Sequence, residues 1–349
     1  MSSALTSYLL LLSVGLAGFV TFKKLSLPVP ALLGPLFFAG ALNLAGHYPD
    51  VSMLWVSRCC NIAIGAIAGA RVNRESAQLL RRLPLPALTV SLSMLLLSLA
   101  GGALLCATTD LSPRTAFIGA TTGGIAEMAM LSISLGADSA TVTLLQVTRL
   151  LTALIAAPAI CRALTKRLGR RTEAPAHIAE RRSEANASWA NYAILAAASI
   201  AGGAAGLALR MPVGALTGAM IGAAAANLLN EELPPVPVKI RIAAQIGIGV
   251  TIASNVSHST FANLSSLLLP VLLILCLMLL CSVAIAELLH RMTGWDYPTC
   301  LLSASLGGLS QMVVVAEEMG ADPLKVTALQ TIRLLSILIV LPFVFSLVF

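Results

Sequence analysis

Two arginines carry the most chemistry in this sequence. Arg149 and Arg333 each sit about eleven residues into a long apolar run, near the middle of a membrane-spanning helix. An unpartnered guanidinium at that depth costs at least about 2.5–3.5 kcal/mol on insertion scales, so each must face a partner or a water-filled cavity. Gln146 and Gln330 stand three residues earlier on the same helical face and add amide donors and acceptors. Such a symmetric pair suits a bidentate hold on a carboxylate or similar oxyanion. A salt bridge or a carbonyl lock that holds the two halves of the chain together would use the same residues. The sequence leaves both readings open.

Other candidates lie close by in the chain. The pairs Gly123-Gly124 and Gly307-Gly308 free backbone N–H groups at a helix start, where anions are favoured, although close helix packing also selects glycine. Glu127 follows Gly124 by three residues, and Gln311 stands at the equivalent place in the second half. An intramembrane acid beside a chain break is a candidate for binding a coupling proton or sodium ion. With Gly124 as N-cap it would instead satisfy first-turn amides, or it would neutralise Arg149. Asp138 and Asp322 both follow Gly-Ala and precede the last helix of their half, and Pro323 occupies a first helical position. Both aspartates therefore read as N-caps.

These residues recur because the chain is a duplication. Gly123, Gly124, Met128, Gly136, Asp138, Gln146, Arg149 and Pro158 each reappear 184 residues later, without a gap. Residues 119–158 and 303–342 share 17 identities in 40 positions, where an Ala/Leu-rich chain would give roughly four by chance. The same offset joins Val29 to Val213, Gly34 to Gly218, Asn43 to Asn227 and Gly65 to Gly249. The expected organisation is a membrane repeat over 1–161, a basic linker over 162–189 and a second repeat over 190–349.

Composition sets the class. Of the 349 residues 58% are apolar and 11% charged, against roughly 45–50% and 25% in soluble domains, and mean hydropathy is +0.91. This excludes a soluble enzyme or repressor and leaves an all-α polytopic membrane protein, with the lipid bilayer as its first partner. Seven of the 22 Lys and Arg residues fall between Arg162 and Arg182, which makes that stretch a topology signal and not a nucleic-acid patch. The seven cysteines form no C-x-x-C pair. The four histidines are scattered, so neither a metal site nor a cofactor is expected. No Walker motif and no G-x-S-x-G occurs, and the chain is not expected to be an enzyme.

Each half has six apolar segments. The basic loops Lys23-Lys24, Arg71 to Arg82 and the linker all belong in the cytoplasm, yet three segments separate the second from the third. One of the three must enter and leave on the same side. The Gly-Gly break selects 114–135, and by symmetry 299–319, as a re-entrant or broken helix. Each repeat then crosses five times and the second is inverted, with external termini; a parallel six-plus-six bundle is the alternative. Inverted repeats with Gly-interrupted segments in matching places point to a secondary transporter.

The doubled pattern Gly-Gly, Gly-Ala-Asp, Gln, Arg, at 123, 124, 138, 146 and 149 and again at 307, 308, 322, 330 and 333, resembles the AbrB-type duplicated membrane proteins of bacteria. The sequence departs in having Thr121-Thr122 and Ser305-Leu306 where that family commonly has Ser-Pro. The resemblance implies a bacterial inner-membrane location and a label of regulator of gene expression. Some relatives are called ammonia monooxygenases, but the metal ligands of such chemistry are missing here. Two functions follow as expectations. One is a transporter of a small anionic solute, possible also as a homodimer. The other is a membrane regulator acting through a partner on the basic loop.

Overall fold

The computed structural model describes residues 2–27, 29–49, 51–72, 74, 78, 83–168, 189–211, 213–230, 233–256, 264–308, 312, 315–317 and 319–348. The helices that bear on the site are α1 (Ser2–Lys24), α2 (Pro30–Leu44), α3 (Leu54–Gly69), α4 (Pro84–Thr108), α5 (Pro113–Ala120), α6 (Ile125–Ser134) and α7 (Ser139–Leu168). The second half supplies α8 (Trp189–Ala208), α9 (Gly214–Leu229), α10 (Val238–Ala253), α11 (Leu264–Thr293), α12 (Tyr297–Ser303) and α13 (Pro323–Val348). No strand occurs among the described residues. Six helices, α1, α4, α7, α8, α11 and α13, are long and apolar enough to cross a membrane. Their outward leucines, among them Leu12, Leu92, Leu96, Leu273 and Leu280, are exposed, as lipid-facing side chains must be. The chain is a polytopic membrane protein. Helix α7 runs past the repeat boundary expected at 161, to Leu168, and residues 169–188 of the linker lie outside the described residues.

The compact units cut across the sequence repeats. One unit comprises residues 1–72, 126–143 and 184–266, the other residues 73–125, 144–183 and 267–349. Each therefore takes matching helices from both halves.

In the first unit glycine brings helices to backbone contact. A Cβ at Gly34 in α2 would strike the Gly18 carbonyl of α1, and one at Gly218 in α9 would strike the Gly202 carbonyl of α8. These are the same pair 184 residues apart. Without a hydrophobic drive between helices in lipid, such close approach is what supplies dispersion energy. The short turns feeding α2 and α9 repeat too. Ser26 and Val29, then Arg210 and Val213, take left-handed φ between 45° and 53°. For a β-branched residue that backbone is costly, and no glycine in the sequence marks it.

Contacts between the repeats are reciprocal. Asn43 donates to the carbonyls of Ser254 and Val256 (3.2 and 2.9 Å) at the end of α10. Asn227 donates to those of Ala70 and Val72 (2.9 and 2.7 Å) at the end of α3. Each asparagine thus caps the third helix of the other repeat, filling acceptors a helix terminus leaves open. Asn43→Ala and Asn227→Ala should each cost about 1–3 kcal/mol, and by symmetry similar amounts. Thermal unfolding in detergent reads this; no shift in either variant would mean that water replaces both caps.

The direction of the helices follows from which residues meet. Gly65 and Gly69 of α3 face 216–220 and then 220–224 of α9, so α3 and α9 run parallel. Tyr8, early in α1, donates to the Ser52 carbonyl (2.7 Å) just before α3, so α3 starts at the end where α1 starts and α2 finishes. Helix α3 is thus antiparallel to α2. Its parallel neighbour α9 is the counterpart of α2, so α2 and α9 point in opposite directions. The repeats are inverted in this unit.

The second unit repeats the result more directly. Thr89 of α4 meets Met292 of α11, while Gly101 of α4 faces Ile274 and Met278. Counterpart helices α4 and α11 are therefore antiparallel. The Gly-Gly segment is a re-entrant hairpin. The Asp322 N–H, at the start of α13, donates to Thr299 Oγ1 (2.8 Å) in the first turn of α12, and Lys325 lies 4.9 Å from the ring centre of Trp295. Helices α12 and α13 begin at one end, which is where α11 finishes. In the first repeat α7 runs alongside α5 in the same sense, residues 145–149 beside 118–123, while α5 runs against α4 with Gly102 at Phe117 and Ser98 at Thr122.

Candidate functional site

The break after α5 ends a helix beside Ser98, near the centre of α4, whose Oγ accepts from the Thr122 N–H (3.2 Å). Of its last carbonyls that of Ile118 accepts from the Thr121 N–H (3.2 Å) in the closing turn, and lipid offers the others no donor. Two side chains of α7 supply the donors. The Gln146 amide nitrogen donates to the carbonyls of Ile118 (3.0 Å), Gly119 (3.3 Å) and Thr121 (2.9 Å). Arg149 forks over the tip, one terminal nitrogen on the Thr121 carbonyl (2.7 Å) and the other on that of Gly123 (2.5 Å).

The second repeat builds the same staple. Gln330 donates to the Leu302 carbonyl (2.7 Å) and Ser305 Oγ (3.2 Å), and Arg333 to the carbonyls of Ser305 (2.5 Å) and Gly307 (3.3 Å). All four side chains are buried, the arginines to 3% and 4% exposure. The carbonyl lock foreseen as an alternative is therefore present, and it closes within each repeat, not between them.

That lock leaves the charge uncompensated. Among the described residues no carboxylate comes within ion-pair distance of either guanidinium, and both are buried in the same unit. Carbonyl dipoles offset part of the desolvation cost, but two like charges in one low-dielectric interior still repel. Each Nε–H and each glutamine Oε1 is buried without a partner, an orphaning that costs about 1–3 kcal/mol per group. Arg149 also borders a cavity of about 20 Å³, between Leu105, Leu145, Ile274 and Met278, with room for one water.

Gly123, Gly124 and Gly307 all keep negative φ, so conformational freedom is not what selects glycine here. At Gly307 a Cβ would meet the flexible end of the Met312 side chain, which would have to shift. Gly308 ends the described tip, and Gln311 lies outside the described residues.

Glu127 belongs to the first unit. Its carboxylate is 5% exposed and sits 3.6 Å from Arg71, at the end of α3, without a hydrogen bond to the first-turn amides of α6. Arg241 of α10 shares that electrostatic neighbourhood, its Nε buried and unpartnered. Sequence reasoning missed this cluster; Arg71 read as a loop charge. Asp138 accepts from the N–H groups of Ala140 and Thr141 (3.1 and 3.2 Å), and Asp322 from those of Leu324 and Lys325 (3.0 and 3.2 Å). This is N-cap geometry at both helix starts. Asp322 also pairs with Lys325 at 2.9 Å.

The comparisons with known proteins agree with the duplicated architecture. The chain is 28% identical over 346 residues to the Escherichia coli (strain K12) protein named "Putative regulator AbrB", covering 95% of this chain and 92% of that one. It is 23% identical over 315 residues to "Uncharacterized protein YhjN" of Bacillus subtilis (strain 168), covering 86% and 80%. The profile of the family described as "Transition state regulatory protein AbrB" matches twice, over residues 1–165 and 55–349, and the overlap is what a duplicated chain produces. With inverted repeats, doubled hairpins and a profile match across its whole length, this chain belongs to the AbrB family.

Proposed function

We propose that this protein is a secondary transporter of a small anionic solute in the bacterial inner membrane. The observation that supports this reading is the pair of buried guanidiniums in one unit, with no carboxylate at ion-pair distance among the described residues. A mobile oxyanion is the missing counter-charge, and inverted hairpins are how transporters bring helix ends to a midplane site. Glu127, held by Arg71, is the coupling group, and its counterpart Gln311 makes the coupling asymmetric between the repeats. The basic loops Lys23-Lys24, Arg71 to Arg82 and 162–189 face the cytoplasm and the termini face outward. No nucleic acid takes part. The name of the Escherichia coli relative would then reflect a downstream effect of solute movement.

Uptake into liposomes tests this. The purified protein should accumulate at least one small radiolabelled carboxylate or inorganic anion, saturably, with competition from anions and none from cations. Glu127→Gln should exchange solute across the bilayer but lose gradient-driven accumulation. If no anion across the panel binds or moves, the transporter reading is wrong, and the basic loop becomes the place to look for a regulatory partner.

A further inference from the structure

Among the described residues eight buried side-chain N or O atoms lack a hydrogen-bond partner, and six of them lie in the unit that holds the arginines. They are Gln146 Oε1, Arg149 Nε, Gln330 Oε1, Arg333 Nε, Ser303 Oγ and Thr331 Oγ1. Native interiors leave few such groups, so a concentration of them marks something that binds. Four of the six are the same two atoms in both repeats, an amide oxygen and the Nε–H three residues on. Structural need does not explain them, because the staple uses the other ends of these side chains.

The orientation of each glutamine is fixed. The Gln146 nitrogen faces three carbonyls, which only a donor tolerates, so its oxygen must point away from the hairpin. The nitrogen of Gln330 is likewise held by the Leu302 carbonyl and Ser305 Oγ. Each repeat therefore offers an occupant one donor, the Nε–H of a charged guanidinium, and one acceptor, the amide oxygen. On one face of α7 or α13 the two stand a helical turn apart. A bare oxyanion satisfies the first and repels the second.

Resting on the anion reading above, we propose that the solute is a small oxyanion carrying a hydrogen-bond donor of its own. Its charged oxygens meet the arginine Nε–H groups, and its O–H or N–H is given to Gln146 or Gln330. The Ser303 hydroxyl, buried without a partner and able to serve either role, adds to the second half of the site, whereas Thr331 lies off the face that carries Gln330 and Arg333. Hydroxy- and amino-carboxylates and protonated phosphate fit; acetate, propionate and sulfate leave the glutamine oxygens empty. A site with buried acceptors discriminates by leaving them unpaired when the wrong ligand enters.

Matched ligands separate the possibilities. Binding to the full-length protein in detergent is measured for glycolate against acetate, lactate against propionate, glycine against acetate, and phosphate against sulfate near neutral pH. The donor-bearing member of at least one pair should bind tenfold or more tightly, and which pair responds identifies the source of the donor. Gln146→Met and Gln330→Met also remove donors to the hairpin carbonyls and lower affinity for both members of a pair, so the readout is the ratio within each pair, which should fall to about one in these variants and would keep its wild-type value if the glutamines were only structural. Equal affinity within every pair would overturn the inference, with water filling the glutamine oxygens, and would leave the anion reading standing. Failure of all these anions to bind would remove both.

Discussion

Arg149→Gln and Arg333→Gln are each expected to abolish anion binding and uptake. The loss is that of a charge-assisted partner in a desolvated site, roughly 2–5 kcal/mol, or at least about thirtyfold in affinity. Each substitution also removes the fork across the hairpin tip, taking the arginine donors from the carbonyls of Thr121 and Gly123, or of Ser305 and Gly307, although Thr121 keeps its bond from Gln146. The lysine variants separate the two roles. An ammonium keeps the positive charge but is a point donor that cannot reproduce a planar fork on two carbonyls. Arg149→Lys and Arg333→Lys should therefore lose thermal stability nearly as much as the glutamine variants, yet retain much more anion affinity. Thermal unfolding with and without ligand reads both quantities from one preparation. If affinity falls in step with stability in all four variants, the arginines are staples of the hairpins and do not bind solute.

Much of this architecture was legible in the sequence, for physical reasons. A duplicated fold keeps its buried polar residues in register, so Gln146, Arg149 and Asp138 announced their partners 184 residues on. Loop charge led to the expectation of inversion, and the opposite directions of α2 and α9, and of α4 and α11, agree with it within each unit. The destination of each polar side chain was not legible. Asn43 and Asn227 were visible as a matched pair, but a cap on the other repeat's helix is a contact across more than 150 residues. Glu127 was open to three readings, a coupling group, a first-turn cap or a counter-charge to Arg149, and its ion pair is with Arg71. Nor does any residue type signal that Arg149 should fork over carbonyls. That use depends on where a helix breaks beside it, and Thr121-Thr122 carries no proline to mark the break. The left-handed Val29 and Val213 are the extreme case, since valine is the residue least expected there.

Gly34→Ala and Gly218→Ala should weaken the first unit severely and by similar amounts. In both, the added methyl would meet a backbone carbonyl, of Gly18 and Gly202 respectively, and no rotamer change relieves a backbone clash. The helices must separate by roughly an ångström, which forfeits much of the dispersion energy along the pair; overpacking of this kind costs about 1–3 kcal/mol. Gly40→Ala is the control, on the same helix α2. Its Cβ would sit 3.5 Å from Val256, ordinary contact, and alanine is the better helix former, so stability should hold or rise. Thermal unfolding of the three variants in detergent decides the matter. A drop at Gly34 and Gly218 but not Gly40 makes the glycine contacts the joint of a rigid scaffold. Equal and small effects at all three would mean that lipid-exposed helices α1 and α8 slide to accept a methyl group. The paired design matters because the two glycines occupy equivalent places in inverted repeats: a defect seen in only one would mean that the scaffold is less symmetric in stability than in structure.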